Sequence, residues 1–183
     1  MRPLGERLAP VLTVRQWAAA GNLWAVLDAT DTPSVLQTVA ELGPTRAVSL
    51  YRGRAEEDLE AIAPYLIQVD PGTFAWLTET LWPEPWGIFA VASTTLEELR
   101  LHFRRFLIVE APNGEDWYFR FYDPRVLPKF LEVSTPDERA AFFGPVRAFG
   151  VTDLASYGVR VLTPDQVGSS PSRTQPIVVR RAG

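Results

Sequence analysis

Gly87-Ile88-Phe89-Ala90-Val91, followed by Ser93-Thr94-Thr95-Leu96-Glu97-Glu98, is the stretch on which the fold turns. The first run is uncharged, too short for a buried helix, and bounded by turn residues, so it predicts a strand. The second opens a helix. Thr94 with Glu97, or Thr95 with Glu98, forms a capping box, and the glutamates suit the positive helix start. Leu96, Leu99, Phe103 and Phe106 then share one face at helical spacing, while Arg104 and Arg105 complement the negative end.

The same alternation extends outward. Leu23–Leu27, Ala47–Leu50, Tyr65–Val69 and Phe106–Val109 are further short apolar runs that predict strands, and Ser34–Leu42, Glu56–Ile62, Thr73–Leu81 and Leu96–Arg105 lie between the runs as helices. Strands spaced by helices of this length suggest βαβ units. The predicted fold is therefore α/β: a single domain with a mixed, mainly parallel central sheet flanked by helices. A C-terminal aromatic β-hairpin and short helices complete it. In the hairpin, Phe106–Val109 and Trp117–Tyr122 flank Pro112-Asn113-Gly114, where Asn and Gly accept positive φ. Trp117, Phe119 and Phe121 then share one strand face, and Tyr118, Arg120 and Tyr122 the other. Asp123-Pro124 predicts a helix start, with Pro128 keeping that helix short or bent. Thr135-Pro136-Asp137-Glu138 and Phe143-Gly144-Pro145 bracket another helix, and Val146–Gly150 with Val159–Leu162 form a last strand pair. Residues 1–22 are expected as a lead-in, 23–163 as the domain, and 164–183 as a flexible tail in which Ile177–Arg181 is a short strand-like stretch.

Composition narrows the chemistry. The 183 residues include no cysteine and one histidine, His102, which removes disulfides, thiol catalysis, iron–sulfur clusters and multi-histidine metal sites. Neither a cofactor nor a metal is expected. The net charge of −4 and a single lysine, Lys129, argue against a nucleic-acid footprint. No stretch has the length and apolarity of a secretory signal or a membrane span, so a cytoplasmic location without membrane contact is expected. Glycine-rich phosphate loops, nucleophile elbows and His-Glu-x-x-His pairs are missing as well.

His102 follows Glu98 by four residues and reads as a boundary or solvent-facing histidine beside a carboxylate rather than an acid–base catalyst. Trp76, Trp82 and Trp86 cluster around Pro83 and Pro85; core packing over the sheet edge is the favoured role, and a partner platform the alternative. Asp123 reads first as a helix cap and second as a polar anchor in a partner site, pairing with Arg120 or Arg125.

Three segments, in their order, carry a family resemblance. They are Ala63-Pro64-Tyr65-Leu66 with Val69-Asp70; Trp86-Gly87-Ile88-Phe89 with Leu96-Glu97-Glu98-Leu99-Arg100 and Phe103-Arg104-Arg105-Phe106; and Phe119-Arg120-Phe121-Tyr122-Asp123-Pro124-Arg125-Val126-Leu127. Phe142-Phe143-Gly144-Pro145 follows at a fitting distance. Together, over about Leu23 to Val151, the chain resembles the bacterial type VI secretion adaptor or effector-chaperone domain, long catalogued as a domain of unknown function. The resemblance implies a non-enzymatic cytoplasmic loader that binds a secreted effector protein and helps mount it on the spike protein of the apparatus. Trp86, Gly87, Phe89, Arg120, Tyr122, Asp123 and Arg125 match signature positions. Trp82 and Trp86, with Trp76 and the open sheet edge, are the expected partner surfaces. Related proteins often continue into a second, more variable lobe, and its absence here would alter the grip on cargo. Two rivals stand beside this expectation: an immunity protein that neutralises a toxin, and a hydrolase using carboxylates such as Asp123.

Overall fold

β1 (Leu23–Asp28) is buried along its whole length. Its side chains alternate between two apolar layers: Trp24 and Val26 enter one, and Leu23, Ala25 and Leu27 the other. The computed structural model describes residues 13–30, 32–51, 59–82, 84–110, 114–153 and 158–166. Residues 1–12 of the lead-in, 56–58 of the expected Glu56–Ile62 helix, and 167–183 of the expected tail, with Ile177–Arg181, lie outside the described residues.

A helix, α1 (residues 13–19), precedes β1. After it come α2 (Pro33–Leu42), β2 (Ala47–Ser49), β3 (Pro64–Gln68), α3 (Pro71–Trp76, running on through a π-helical turn, Leu77–Leu81) and β4 (Gly87–Ala92). α4 (Leu96–Arg104), β5 (Ile108–Glu110), β6 (Asp116–Tyr118), α5 (Leu127–Val133), α6 (Pro136–Phe143), β7 (Val146–Asp153) and β8 (Gly158–Leu162) complete the order. Of the two possible capping boxes on α4, the one formed is Thr95 with Glu98. α6 starts with the same device, Thr135 with Glu138.

The sheet corrects the expected mainly parallel arrangement. Its six strands run in the order β2-β3-β1-β4-β7-β8, and every neighbouring pair is antiparallel. The sequence pattern misleads for a physical reason. β1 and β2 do point the same way and are joined through α2, as are β3 and β4 through α3, but each crossover skips one position. β3 fills the first gap and β1 the second, and each runs against its neighbours. Helices on both faces leave the central strands apolar on both sides, a pattern more usual for parallel sheets.

One face of the sheet packs on α1, α2 and α3 through Val14, Ala18, Val35, Phe74 and Leu77. The other packs on α4, α5 and α6 through a layer of phenylalanines. Phe142 is its hub, with ring centroids 5.0 Å from Phe106, 5.6 Å from Phe121, 5.1 Å from Phe130 and 5.2 Å from Phe149.

His102 sits at the rim of that layer and departs from expectation. It is buried, and Glu98 is taken up by its capping box instead of facing it. Nε2 lies 2.8 Å from the Phe142 carbonyl oxygen, and Nδ1 accepts from Arg105 Nη2 at 2.7 Å. This places the proton on Nε2, which donates to Phe142. Burial, foremost, and the neighbouring Arg105 charge lower its pKa to about 4. Gly144, at φ +46°, closes over the ring: a Cβ there would fall 2.4 Å from His102 Cε1.

The aromatic hairpin forms as a separate two-stranded sheet, β5 with β6, with Gly114 at φ +83° in the turn. The second strand stops at Tyr118 rather than reaching Tyr122. Phe119 and Phe121 have to enter the phenylalanine layer while Arg120 turns the other way, and the chain bends to allow both. Asp123 is likewise not a helix cap. Its Oδ1 accepts from the Arg125 backbone at 2.8 Å, closing a turn, and α5 begins only at Leu127.

Candidate functional site

The sheet end formed by the close of β1, the close of β2 and the start of β4 gathers the polar signature residues. Asp28, at the last position of β1, is buried at the end of an otherwise apolar strand. Its Oδ1 accepts from the Thr30 backbone at 3.0 Å, and its Oδ2 takes a short hydrogen bond from Arg120 Nη2. Arg120 lies over the Tyr122 ring, 5.9 Å from its centroid. Tyr51 lies close enough to raise the Tyr122 phenol, and its ring meets Tyr118 of the hairpin edge-on at 6.4 Å. Beside them Arg125 grips Asp123 as a fork, with Nε 2.9 Å from Oδ1 and Nη2 2.6 Å from Oδ2.

The electrostatics fix charge rather than move it. Burial, and after it the Asp28 carboxylate, push the Tyr122 phenol up. Burial, then Tyr118 and Asp28, raise Tyr51. Burial works against ionised Asp123, but the Arg125 hydrogen bonds outweigh it and hold the carboxyl below its usual range. Burial likewise opposes the Arg120 cation, and Asp28 more than offsets it, so Arg120 is raised. Phenols moved up and a carboxyl moved down keep one charge state across neutral pH.

The other signature residues lie behind this end, in the core. Trp86 and Phe89 are buried and stack edge-to-face at 5.0 Å. Trp82 is buried in the same layer, so neither Trp82 nor Trp86 presents its indole at the surface. Trp76 is half-buried and alone of the three borders an open cleft of about 370 Å³ between α2 and α3, opposite Gln37 and Glu41. Gly87 permits a close approach: a Cβ on it would sit 2.0 Å from the Val26 carbonyl oxygen. The Trp86 carbonyl accepts from the Asp28 backbone at 2.8 Å. The Trp86-Gly87 turn thus seats the end of β1, and through it the carboxylate that holds Arg120.

Of the expected site residues, the structure unites Arg120, Tyr122, Asp123 and Arg125, places Trp86 and Gly87 as supports behind them, and buries Trp82 and Phe89 in the core. It adds Asp28 and Tyr51. Asp28 carried a signal, a carboxylate directly after five apolar strand residues. Tyr51 carried none, because its place depends on Arg100 of α4, which donates to the Ser49 and Tyr51 carbonyls at 2.9 and 3.1 Å and so covers part of the β2 edge. Among the described residues, no cluster of three or more acidic or histidine side chains is placed to hold a metal ion.

The sequence that builds this strand-end cluster, on an antiparallel sheet flanked by helices, fits a family model. Residues 23–141 fit the family described as "Domain of unknown function (DUF4123)", and the chain belongs to that family. The match takes in the whole polar cluster and the Trp86-Gly87 turn that supports it, and ends within α6. No curated protein and no solved structure matches the chain.

Proposed function

We propose that this protein is a non-enzymatic cytoplasmic adaptor that binds a type VI secretion effector and promotes its loading onto the spike protein. The observation that carries this reading is the family membership over residues 23–141, joined to the Phe119–Leu127 motif by which the chain resembles such adaptors. Two features support it. The polar cluster holds its groups in fixed charge states, as recognition requires. Beside it, the hairpin carries Trp117 and Tyr118 with 55% and 67% of their surface exposed, an unusual place for large aromatic rings and a common one in protein interfaces. Among the described residues no helix is long and apolar enough to cross a membrane.

Binding energy alone would do the work: the adaptor holds a segment of the effector until assembly with the spike releases it. The test is affinity capture of the tagged chain from its own host, with mass spectrometry of what is retained. A large effector together with the spike protein supports loading. An effector without the spike, whose activity the chain blocks at one-to-one stoichiometry, makes it an immunity protein. Turnover of a substrate panel that disappears in Asp123→Asn while the fold survives makes it a hydrolase.

A further inference from the structure

We infer that the Asp28–Arg120 and Asp123–Arg125 pairs, with Tyr118 of the hairpin, form a docking surface for a polypeptide segment that carries carboxylates among apolar side chains. The inference rests on the adaptor reading for its biological partner, but the surface itself is argued from geometry.

The two pairs are asymmetric in the same sense. Each carboxylate has only 9% of its side chain exposed, whereas Arg120 keeps 51% and Arg125 64%. A third pair shows the contrast: in Arg46–Asp70 the carboxylate is the more exposed partner, at 48% against 33%. At the strand end the negative charge is thus hidden behind the positive, and an approaching group meets guanidinium first. Arg125 spends Nε and Nη2 on Asp123, and Arg120 spends Nη2 on Asp28. Each half- to two-thirds-exposed guanidinium keeps further N–H donors beyond these bonds, and a planar fork matches a carboxylate edge to edge. Because the buried aspartates already fix both arginines, little side-chain freedom is left to lose on binding.

The surroundings decide which anion fits. Tyr118 and Ile108 are cross-strand partners on one hairpin face, and both are exposed. Trp117 is exposed on the other face. Glu115 and Asp116 lie on the same hairpin, so positive charge is offered at the two arginines and not along the hairpin. That suits isolated carboxylates better than a continuous polyphosphate backbone. A peptide with separated carboxylates and apolar residues between them meets the arginines with its charges and Tyr118 and Ile108 with its apolar side chains.

Three fluorescein-labelled probes test the surface on the intact chain: a nine-residue peptide with two glutamates among leucines and serines, its glutamine counterpart, and a twelve-nucleotide thymidine strand. Anisotropy is expected to show the glutamate peptide binding about tenfold more tightly than the glutamine one, a gap narrowing between ~50 and ~300 mM NaCl. In the Arg120→Gln/Arg125→Gln variant that preference is expected to vanish. Arg125→Gln alone, at the more exposed site, keeps the test valid if the double variant folds poorly, and should lose part of it. Equal binding of both peptides by the native chain, or a preference that survives in the variants, overturns the surface. Tighter binding of the thymidine strand overturns it in favour of a phosphate site. Host capture of an effector despite such a result would leave the adaptor standing and remove only this surface.

Discussion

Two segments of the signature, Trp86–Phe89 and Phe119–Arg125, are equally distinctive as sequence and opposite as structure. The first is enclosed. Trp86, Gly87 and Phe89 lie within the sheet and the layer beneath it. The second alternates inward and outward: Phe119 and Phe121 join the phenylalanine layer, while Arg120 and Arg125 reach the solvent with their carboxylates behind them. They meet at Asp28, whose backbone is held by the Trp86 carbonyl and whose side chain holds Arg120. A recognisable motif therefore need not touch a partner to matter. One half shapes the strand end, and the other uses it.

The largest expected effect lies in the enclosed half. Gly87→Ala would drive a Cβ into the Val26 carbonyl oxygen, a backbone atom that cannot step aside without breaking the β1–β4 pairing. Backbone collision of this kind should destabilise by at least ~3 kcal/mol, a large part of the ~5–15 kcal/mol that a domain of this kind has in total. Denaturant unfolding checks it. A variant melting within about 1 kcal/mol of the native chain would mean that β1 and β4 are not so closely apposed.

The second effect is a pH dependence placed behind the other half, where Phe142 touches Phe121 and offers its carbonyl to His102. The folded-state pKa of about 4 lies below the ordinary 6.5, so the unfolded chain takes up the proton first as pH falls. Stability contributed near neutral pH drains away between about 6.5 and about 4, amounting to roughly 3 kcal/mol. Urea midpoints measured from pH 7 to pH 4 should fall steeply in the native chain and more gently in His102→Gln. Parallel slopes would show that His102 titrates normally and is not enclosed as described.

What the sequence disclosed about these regions follows from the range of the interactions involved. The start signals of α4 and α6, Gly114 at positive φ and the apolar strands β1, β2, β3 and β4 rest on neighbours in the chain, and they appear where expected. The hairpin strands are shorter than expected. Strand direction has no such local source. Nothing within Leu23–Asp28 states that β3 and β4 will flank it, and helical connectors fit a skipped strand as well as an adjacent one. The same limit applied to the site. Arg120, Tyr122, Asp123 and Arg125 could be marked from a contiguous motif, but Asp28 joins Arg120 across 92 residues, and His102 meets Phe142 across 40. The tryptophans around the prolines read first as core packing, which Trp82 and Trp86 do, and also as a partner surface, because composition does not distinguish a buried ring from an exposed one.

Asp28→Ala sharpens the comparison where the two segments join. It removes the acceptor of both Arg120 and the Thr30 backbone, but Arg120 is half exposed and water can replace part of what it loses. A loss of about 1–2 kcal/mol is expected, well below that of Gly87→Ala. The partner side should suffer more than the fold, because Arg120 is no longer held. Retained capture with reduced stability would reduce Asp28 to a purely structural residue.

The smallest effect on stability should accompany the clearest effect on binding. Tyr118 is 67% exposed, and among its described contacts it touches the Tyr51 ring by an edge. Tyr118→Ala should therefore leave the melting behaviour within about 0.5 kcal/mol of the native chain, as surface substitutions usually do. Partner capture should nevertheless fall, because an exposed ring beside fixed arginines is the kind of group that anchors an interface. Phe89→Ala is the natural counterpart, with about 3–5 kcal/mol lost from the fold and no direct contact to lose. If Tyr118→Ala captures the partner as well as the native chain does, the hairpin is not the docking element, and the outward half of the signature loses its distinction from the enclosed one.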